Sequence, residues 1–246
     1  MKRFGGNPAV DGATFAVEEG TITALIGPNG AGKTTCFHCI SGFLRLDGGT
    51  IEFAGASIAR LSPPAIVRRG LVRTFQIPQE LSSMTVLENC MLGAGAQRGE
   101  RPWEPLFRAK RVACEERAHE AHAREMLRLV TLDELAHERA GNLSGGQKKL
   151  LELARALIAR PKLVLLDEPA AGVNPTLALQ LVDHIRRLQR ELSVTFLIIE
   201  HNMEVVTRLT DTVVVMSAGR VLTEGAPSAV MADPAVQDAY LGSQYR

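Results

Sequence analysis

A glycine-rich stretch near the start of the chain has the residue types and spacing that bind a phosphate group. Residues 27–34 read Gly-Pro-Asn-Gly-Ala-Gly-Lys-Thr and fit the pattern Gly-x-x-x-x-Gly-Lys-Ser/Thr in full. Gly30 and Gly32 allow the backbone to curl so that successive N–H groups point at one anion. Lys33 is expected to reach the β- and γ-phosphates of a nucleotide, and the Thr34 hydroxyl is expected to bind Mg²⁺. The predicted nucleotide-binding segment consists of Gly27, Pro28, Asn29, Gly30, Ala31, Gly32, Lys33, Thr34 and Thr35.

The surroundings of this segment decide between two interpretations of it. An apolar, β-forming run at 21–26 precedes the glycines, and a helical pattern that ends near Gly42 follows Lys33. A helix that begins at the lysine adds the partial positive charge of its N-terminus to the loop. The strand and the helix therefore favour a phosphate-binding loop over a glycine turn that carries an incidental lysine.

Two adjacent acids follow an apolar run in the second half of the chain. Asp167 and Glu168 come directly after residues 163–166, which read Leu-Val-Leu-Leu. This pattern predicts the carboxyl end of a buried strand, where α/β sheets bind ligands. Asp167 is expected to hold Mg²⁺ through water, and Glu168 is expected to polarise the attacking water as a general base. Without the phosphate loop the two acids would indicate only a strand that meets solvent.

Two further polar residues end predicted strands. Gln76 follows the run 70–75 and precedes Pro78, and His201 follows the run 194–200. A lone glutamine or histidine at a strand end is usually polar surface. The carboxyl ends of parallel strands meet at one edge of a sheet, however, so both side chains are expected near the phosphates. His119 and His122 lie on a charged helical stretch and are interpreted as solvated surface, not as metal ligands.

The alternation of strands and helices predicts parallel β-α-β units. Strand patterns occupy 21–26, 50–54, 70–76, 163–166, 194–199, 212–216 and 220–223, and a helical pattern occupies 177–192. The middle of the chain differs, because it is mostly helical, with helices predicted at 107–130 and, after a Ser144 N-cap, at 147–159. The sequence therefore predicts an α/β core, formed by 1–83 and 158–246, that is interrupted by a mostly helical insert at 84–157.

Composition narrows the classes of protein that fit. Lys and Arg number 28 and Asp and Glu 27, a balance that gives no support to a nucleic-acid binder. No apolar run approaches the ~20 residues that cross a bilayer, and no signal-peptide segment follows Met1. We therefore expect a cytoplasmic chain, for which any role at a membrane must come through a partner. Cys36 and Cys39 form a Cys-x-x-Cys, for which reduced cysteines packing a helix are the default over a metal or redox site.

The segment Leu-Ser-Gly-Gly-Gln at 143–147 completes an ordered set of motifs that resembles the ATP-binding cassette (ABC) ATPases across nearly the whole chain. The resemblance implies one P-loop NTPase (RecA-like) α/β domain over 1–246, with an antiparallel β edge and an inserted α-helical subdomain. It makes Gln76 the glutamine-loop residue, counted among the metal ligands with Thr34 and Asp167, and His201 the switch histidine. It places Phe4 against adenine and the D-loop at 170–175. The implied catalytic residues are Lys33, Gln76, Glu168 and His201.

The family's mechanism also implies partners and ligands. Ser144, Gly145, Gly146 and Gln147 would cover the γ-phosphate of an ATP that a second subunit holds with Mg²⁺. Such a site is complete only in a head-to-tail dimer of ATPase subunits. Opening and closing of that dimer would drive two membrane-spanning permease subunits on the inner face of the cell membrane, which accept solute from a periplasmic binding protein. The docking region for the permease would lie near 76–84, which includes Glu80.

Residues 73–76 (Arg-Thr-Phe-Gln), 84–89, 168–175 and 239–242 look like the ATPases of branched-chain amino acid importers. The alternatives are an ABC ATPase for urea, amides or lipid-type solutes, and a soluble non-transport ABC ATPase. A P-loop kinase or GTPase would need neither 143–147 nor His201. Two departures from the family stand out. Asn174 replaces a common Asp, which weakens a charge-based role there. The family usually has a strand before the residues matching 3–6, so a chain that begins at Met1 is expected to have an incomplete antiparallel edge and loose adenine stacking on Phe4.

Overall fold

The computed structural model describes residues 1–74, 81–94 and 104–241, and for 104–113 and 241 it describes the backbone only. The chain forms two compact units. One, called here the core unit, comprises Met1–Gln76 and Lys162–Arg246. The other, the insert unit, comprises Ile77–Pro161 and interrupts the core unit in sequence. The division expected from the sequence, into a core at 1–83 and 158–246 and an insert at 84–157, stays a prediction.

A mostly parallel sheet of six strands forms the centre of the core unit, as the sequence predicts. The strands in chain order are β1 Lys2–Phe4, β2 Asn7–Val10, β3 Ile22–Ile26, β4 Glu52–Phe53, β5 Ala56–Ser57, β6 Leu71–Arg73, β7 Leu163–Asp167, β8 Thr195–Ile199, β9 Thr212–Ser217 and β10 Arg220–Gly225. The sheet has the order β10-β9-β3-β8-β7-β6. The pairs from β9 to β6 are parallel, and β10 pairs antiparallel with β9. Two separate two-stranded antiparallel sheets, β1-β2 and β4-β5, complete the strands that the structure describes.

Apolar runs explain why the inner strands lie where they do. Every residue of β3, β7 and β8 is buried, as expected for a parallel sheet that is covered on both faces. Because side chains alternate along a strand, Leu25 and Ile199 belong to one hydrophobic cluster with Phe37, whereas Ala24 and Ile26 belong to another with Val206. Because β3, β8 and β7 are parallel neighbours, the loops that follow them leave the sheet at the same edge.

Helices cover the sheet of the core unit. They are α1 Lys33–Ile40, α2 Pro63–Arg68, α6 Pro175–Leu192, α7 Met203–Leu209, α8 Pro227–Met231 and α9 Pro234–Leu241. The helix α6 begins two residues before the predicted start because the Asn174 side chain accepts a hydrogen bond from the Leu177 N–H at 2.8 Å and Pro175 fixes the first turn. Position 174 thus has a capping role that needs an acceptor oxygen and no charge. Cys36 and Cys39 are buried and free, and burial raises the pKa of the Cys36 thiol to about 12.

The insert unit is mostly helical. Its helices are α3 Val86–Met91, α4 Glu104–Leu129 and α5 Gly145–Leu157, with short 3-10 turns at Asp133–Leu135 and Ala140–Asn142. The helix α3 packs on α4 and α5 around buried side chains that include Cys90, Leu127 and Leu151. Among the described residues no helix combines the length and the apolar character that a membrane span requires.

Several expectations about individual segments are wrong in detail. The strand expected at 50–54 is only the two-residue β4, because the chain turns back at Ala54 and Gly55, both with positive φ, to pair with β5. The expected helix at 147–159 begins at Gly145 and ends at Leu157. His122 is not merely solvated: its Nε2 accepts a hydrogen bond from Arg160 at 3.3 Å, and its Nδ1 lies 3.2 Å from Glu125.

Candidate nucleotide-binding site

The loop between β3 and α1 has a backbone that only glycine can adopt at two positions. Gly27 has a φ of 145°, and a Cβ there would lie 2.1 Å from the Met216 carbonyl oxygen. Gly32 has a φ of 98°, and a Cβ there would lie 2.1 Å from the Ala9 carbonyl oxygen. Both contacts are with backbone atoms, which cannot move aside as a side chain can. The neighbouring strands thus hold the loop in its curled form at Gly27 and Gly32, whereas the motif predicts this role for Gly30 and Gly32.

Lys33 opens α1 and is buried, with 6% of its surface exposed. Its Nζ donates hydrogen bonds to the carbonyl oxygens of Gly27 at 2.7 Å and Pro28 at 3.0 Å. Burial lowers the pKa of this ammonium, while the negative charges of Glu168 and Asp167 act in the opposite direction. Lys33, which is predicted to bind phosphate, is therefore held against its own loop, and both predicted acids interact electrostatically with its ammonium group. Thr34 is exposed and Thr35 is half-buried in the first turn of the same helix.

Asp167 is the last residue of β7 and forms a buried ion pair that sequence reasoning missed. Its Oδ2 accepts a hydrogen bond from the Arg73 guanidinium at 2.8 Å, and the two side chains are only 8% and 6% exposed. The guanidinium also donates to the Ser41 hydroxyl at 3.3 Å and lies 5.8 Å from the Phe37 ring centroid. Arg73 thereby joins β6, α1 and β7. A cation at the end of a buried strand was the available signal, since such a charge needs an anionic partner.

Glu168 and His201 meet at the ends of β7 and β8. His201 Nε2 lies 2.6 Å from Glu168 Oε1. An ionised carboxylate can only accept, so in that state the Nε2–H tautomer of His201 is the donor. Glu168 has a φ of 50°, a left-handed conformation that is uncommon for a residue with a side chain. Its N–H donates to the Ile199 carbonyl at 2.9 Å, which ties the loop to β8. Strain of this kind clusters at functional sites.

Glu200, the residue before His201, is a second feature that sequence reasoning missed. It is 4% exposed and accepts hydrogen bonds from the backbone N–H groups of Ala170 at 2.9 Å and of His201 at 3.1 Å. Burial raises the pKa of its carboxyl, and these amides oppose that shift. In the sequence Ile-Ile-Glu-His, this acid has the pattern of an ordinary strand end. No signal in the sequence distinguished it from an exposed surface residue.

The segment 143–147 lies in the insert unit and forms the start of α5. Ser144 and Gln147 make a reciprocal capping box: the Ser144 Oγ accepts from the Gln147 N–H at 3.3 Å, and the Gln147 Oε1 accepts from the Ser144 N–H at 2.9 Å. Ser144 is the N-cap that the sequence predicts. Gly145 is exposed and its φ is not positive. Apart from its chain neighbours and the adjoining backbone of α5, no described atom lies within 4 Å of a Cβ built on it.

Of the remaining predicted site residues, the structure describes Phe4 but not Gln76. Gln76, Glu80 and most of the predicted docking region lie outside the described residues. Phe4 is 52% exposed at the end of β1, with Lys2 Nζ 5.8 Å from its ring centroid. Asp47 holds this strand by bonds to the Lys2 ammonium at 2.9 Å and the Arg3 N–H at 2.6 Å.

The donor set at this edge of the sheet fits Mg²⁺. The Thr34 hydroxyl and the Asp167 carboxylate are hard oxygen ligands, the kind that Mg²⁺ uses together with phosphate oxygens and water. Asp167 uses Oδ2 for Arg73, and a carboxylate can accept through both of its oxygens. The residues present therefore suit the ion.

Comparison with known proteins agrees with this geometry. A family model described as "ABC transporter" matches residues 10–171, more than half of the chain. The chain belongs to the ABC transporter family. A second model, described as "Branched-chain amino acid ATP-binding cassette transporter", matches residues 220–246.

Relatives and solved structures match this family member over nearly its whole length. "Probable branched-chain amino acid transport ATP-binding protein LivG" of Archaeoglobus fulgidus is 43% identical over 99% of this chain and 93% of its own. "High-affinity branched-chain amino acid transport ATP-binding protein BraF" of Pseudomonas aeruginosa is 40% identical over 98% and 94%. A crystal structure of the ADP conformation of an ATP-binding cassette aligns with a TM-score of 0.85 at 41% identity, over 98% of this chain and 95% of that one. The predicted ABC ATPase fold is confirmed.

Proposed function

We propose that this chain is the ATP-binding and ATP-hydrolysing subunit that powers import of branched-chain amino acids through an ABC transporter. The observation that carries the activity is the meeting of the phosphate loop with two acids and a histidine at one edge of a parallel sheet. The solute rests on other support. The model that matches 220–246 and the relatives at about 40% identity are described by branched-chain amino acids.

The residues of the core unit have separable tasks in this reaction. The curled loop and Lys33 hold the β- and γ-phosphates, because a phosphate is a stronger, charged acceptor than the carbonyl oxygens that Lys33 contacts. Glu168 takes the proton of the attacking water as general base. His201 donates to Glu168 and fixes the orientation of its carboxylate. Preorganised groups of this kind lower the barrier by positioning and by charge stabilisation.

Mg²⁺ would be held by Thr34 and, through water, by Asp167, with Gln76 as the further ligand that the family resemblance implies. When bound, the ion neutralises negative charge that develops on the phosphate oxygens. Arg73 keeps the Asp167 carboxylate at the end of β7 by its ion pair. Phe4 offers an exposed ring for stacking on adenine.

A second ATPase subunit is part of the proposal. Ser144, Gly145, Gly146 and Gln147 would cover the γ-phosphate of the ATP bound to that subunit. The exposed, sterically open Gly145 supports this, because no described neighbour in its own chain requires glycine there. The N-terminus of α5 adds a partial positive charge toward an anion. Two such sites form in a head-to-tail dimer, and loss of the γ-phosphate contacts allows it to open.

The remaining partners follow from the transport role. The ATPase dimer would work on the inner face of the cell membrane through two permease subunits, which receive solute from a periplasmic binding protein. The second ATPase subunit is either a second copy of this chain or a sister ATPase. Nucleic acid has no place in this proposal, and the net charge of +1 agrees with that.

The activity is tested with Lys33→Ala. The variant should lose most ATP hydrolysis, because the phosphates lose their ammonium partner. Lys162→Ala is the matched control, since Lys162 is exposed and belongs to the same unit. Near-normal turnover of Lys33→Ala would overturn the ATPase assignment.

The solute is tested separately by reconstituting the ATPase with a permease pair and a binding protein of a branched-chain amino acid importer. Uptake of labelled leucine that needs ATP and is absent with Lys33→Ala would support branched-chain amino acid import. Uptake of urea, amides or lipids in its place would replace the solute and keep the ATPase. Copurification with nucleic acid and not with membrane proteins would favour a non-transport ABC ATPase.

A further inference from the structure

The carboxylate of Glu200 ties together the two loops that carry the proposed catalytic pair. Glu200 follows the last residue of β8 and precedes His201. One carboxylate oxygen, Oε1, accepts from the N–H of Ala170, which is two residues after Glu168. The other, Oε2, accepts from the N–H of His201.

These bonds close a ring of contacts around Glu168. The Glu168 carboxylate meets the His201 imidazole at 2.6 Å. The Glu168 carbonyl accepts from Ala171 N–H at 3.0 Å, next to the residue that Glu200 holds. Glu168 is therefore fixed from both sides, through its side chain by His201 and through the following backbone by Glu200. A residue held at a φ of 50° needs such restraint, because the conformation is unfavourable by itself.

The ring is not needed to build the helix that follows. The Asn202 side chain caps α7 by accepting from the N–H groups of Glu204 at 2.9 Å and Val205 at 3.3 Å. Ala170 belongs to a different loop, so its bond to Glu200 serves no helix end of α7. Burying a carboxylate is costly unless specific donors surround it, and here the donors are the backbone amides of the two loops.

We infer that Glu200 is a positioning residue that sets the geometry of Glu168 and His201 by bonding the loop after β7 to the loop after β8. This inference rests on the proposed ATPase function. It assigns Glu200 no contact with the nucleotide. It predicts that loss of the carboxylate lowers the rate of hydrolysis and leaves ATP binding to the phosphate loop in place.

Glu200→Gln is the direct test, with Glu204→Gln as the matched control. The glutamine side chain has the same size but only one acceptor oxygen. One of the two backbone N–H groups, of Ala170 or of His201, must therefore face an NH₂ group. Glu204→Gln is the same substitution four residues later, at an exposed carboxylate that pairs with Arg208. Measured on the full chain, Glu200→Gln should bind ATP with wild-type stoichiometry and an affinity within about threefold, while kcat falls about tenfold or more. Glu204→Gln should match the wild type in both.

A double-mutant cycle separates positioning from general structural damage. If Glu200 acts by positioning Glu168 and His201, then Glu200→Gln should cost little further rate in a Glu168→Gln background, where the positioned carboxylate is absent. A full additional tenfold loss there would overturn the inference. So would wild-type turnover of Glu200→Gln, or a loss of rate that only follows a loss of bound ATP. An inactive wild-type chain would instead overturn the proposed function, so the two failures are distinguishable.

Discussion

The glycines of the phosphate loop and the glycine that opens α5 are required for opposite reasons. Gly27 and Gly32 have positive φ, and a Cβ at either position would lie 2.1 Å from a backbone oxygen of the same unit. Gly145 lies at the start of a helix and its φ is not positive. No described atom beyond its chain neighbours and the adjoining helix backbone lies within 4 Å of its missing Cβ. The first two glycines are explained by the fold that contains them. Gly145 is not.

The difference indicates what each region works on. A loop whose shape is fixed by its own strands is preorganised to bind a ligand on the chain that carries it. A glycine that is dispensable to its own chain makes sense where something from outside approaches the backbone closely. The difference supports the proposal that 27–35 bind this chain's ATP and that 143–147 serve the ATP of a partner.

The largest effect is expected for Gly32→Ala. The methyl group would have to displace the Ala9 carbonyl, and the positive φ alone costs about 1–3 kcal/mol, so the loop should open and ATP binding should be lost. Gly55→Ala is the control, because Gly55 has a φ of 74° with no described atom within 4 Å. Thermal unfolding and equilibrium ATP binding measure both. Unimpaired ATP binding by Gly32→Ala would contradict the claim that the fold fixes the loop.

Glu168→Gln should lower turnover by about 10²–10⁴-fold, the usual contribution of a general base. ATP binding should persist, because the loop and Lys33 are unchanged, and the unhydrolysed nucleotide should hold two subunits together. Size-exclusion chromatography with ATP measures the dimer, and Glu191→Gln, an exposed carboxylate on α6, is the control. A variant that stays monomeric at saturating ATP would argue against sharing of the site between subunits.

Much of the core unit could be predicted from the sequence. Fully buried strands are written as apolar runs, so β3, β7 and β8 and the residues that follow them were accessible from local pattern alone. The placement of Glu168 and His201 at one edge of the sheet also followed, since parallel strands bring their ends together there, but their direct contact was not predicted.

The contacts that hold this site together could not be predicted in the same way. Arg73 finds Asp167 across 94 residues of chain, and Glu200 reaches the Ala170 amide across 30. A cation at the end of the β6 strand indicates that Arg73 needs an anionic partner, but the local sequence identifies neither that partner nor the partner of Glu200. Such pairing depends on strand order and register, which the hydrophobic pattern leaves open. The strand expected at 50–54 failed for a related reason: its alternation extends over a turn at Ala54 and Gly55 that the pattern does not register.

A smaller effect on folding is expected for Ser144→Ala. The variant loses the cap of α5, which typically costs about 1 kcal/mol of stability. Thr85→Ala removes an equivalent capping box from α3 in the same unit and should cost a similar amount. The two variants should differ in ATPase activity, because only Ser144 is expected to contact a partner's phosphate. Denaturant unfolding and steady-state hydrolysis make the comparison, and equal activity of the two would leave Ser144 with a capping role alone.

Gly145→Ala should have the smallest effect on the chain itself, and of opposite sign. Alanine fits the open space and removes the conformational freedom of glycine, so stability should rise by up to about 0.5–1 kcal/mol. ATP binding to the monomer should be unchanged, since the phosphate loop lies in the other unit. ATP-dependent dimer formation and hydrolysis should nevertheless fall, because the added methyl group stands where a partner's nucleotide must approach the backbone. A Gly145→Ala chain that is more stable and fully active would show that no partner subunit requires glycine at position 145. The contrast between Gly145 and the glycines of the phosphate loop would then have no functional meaning.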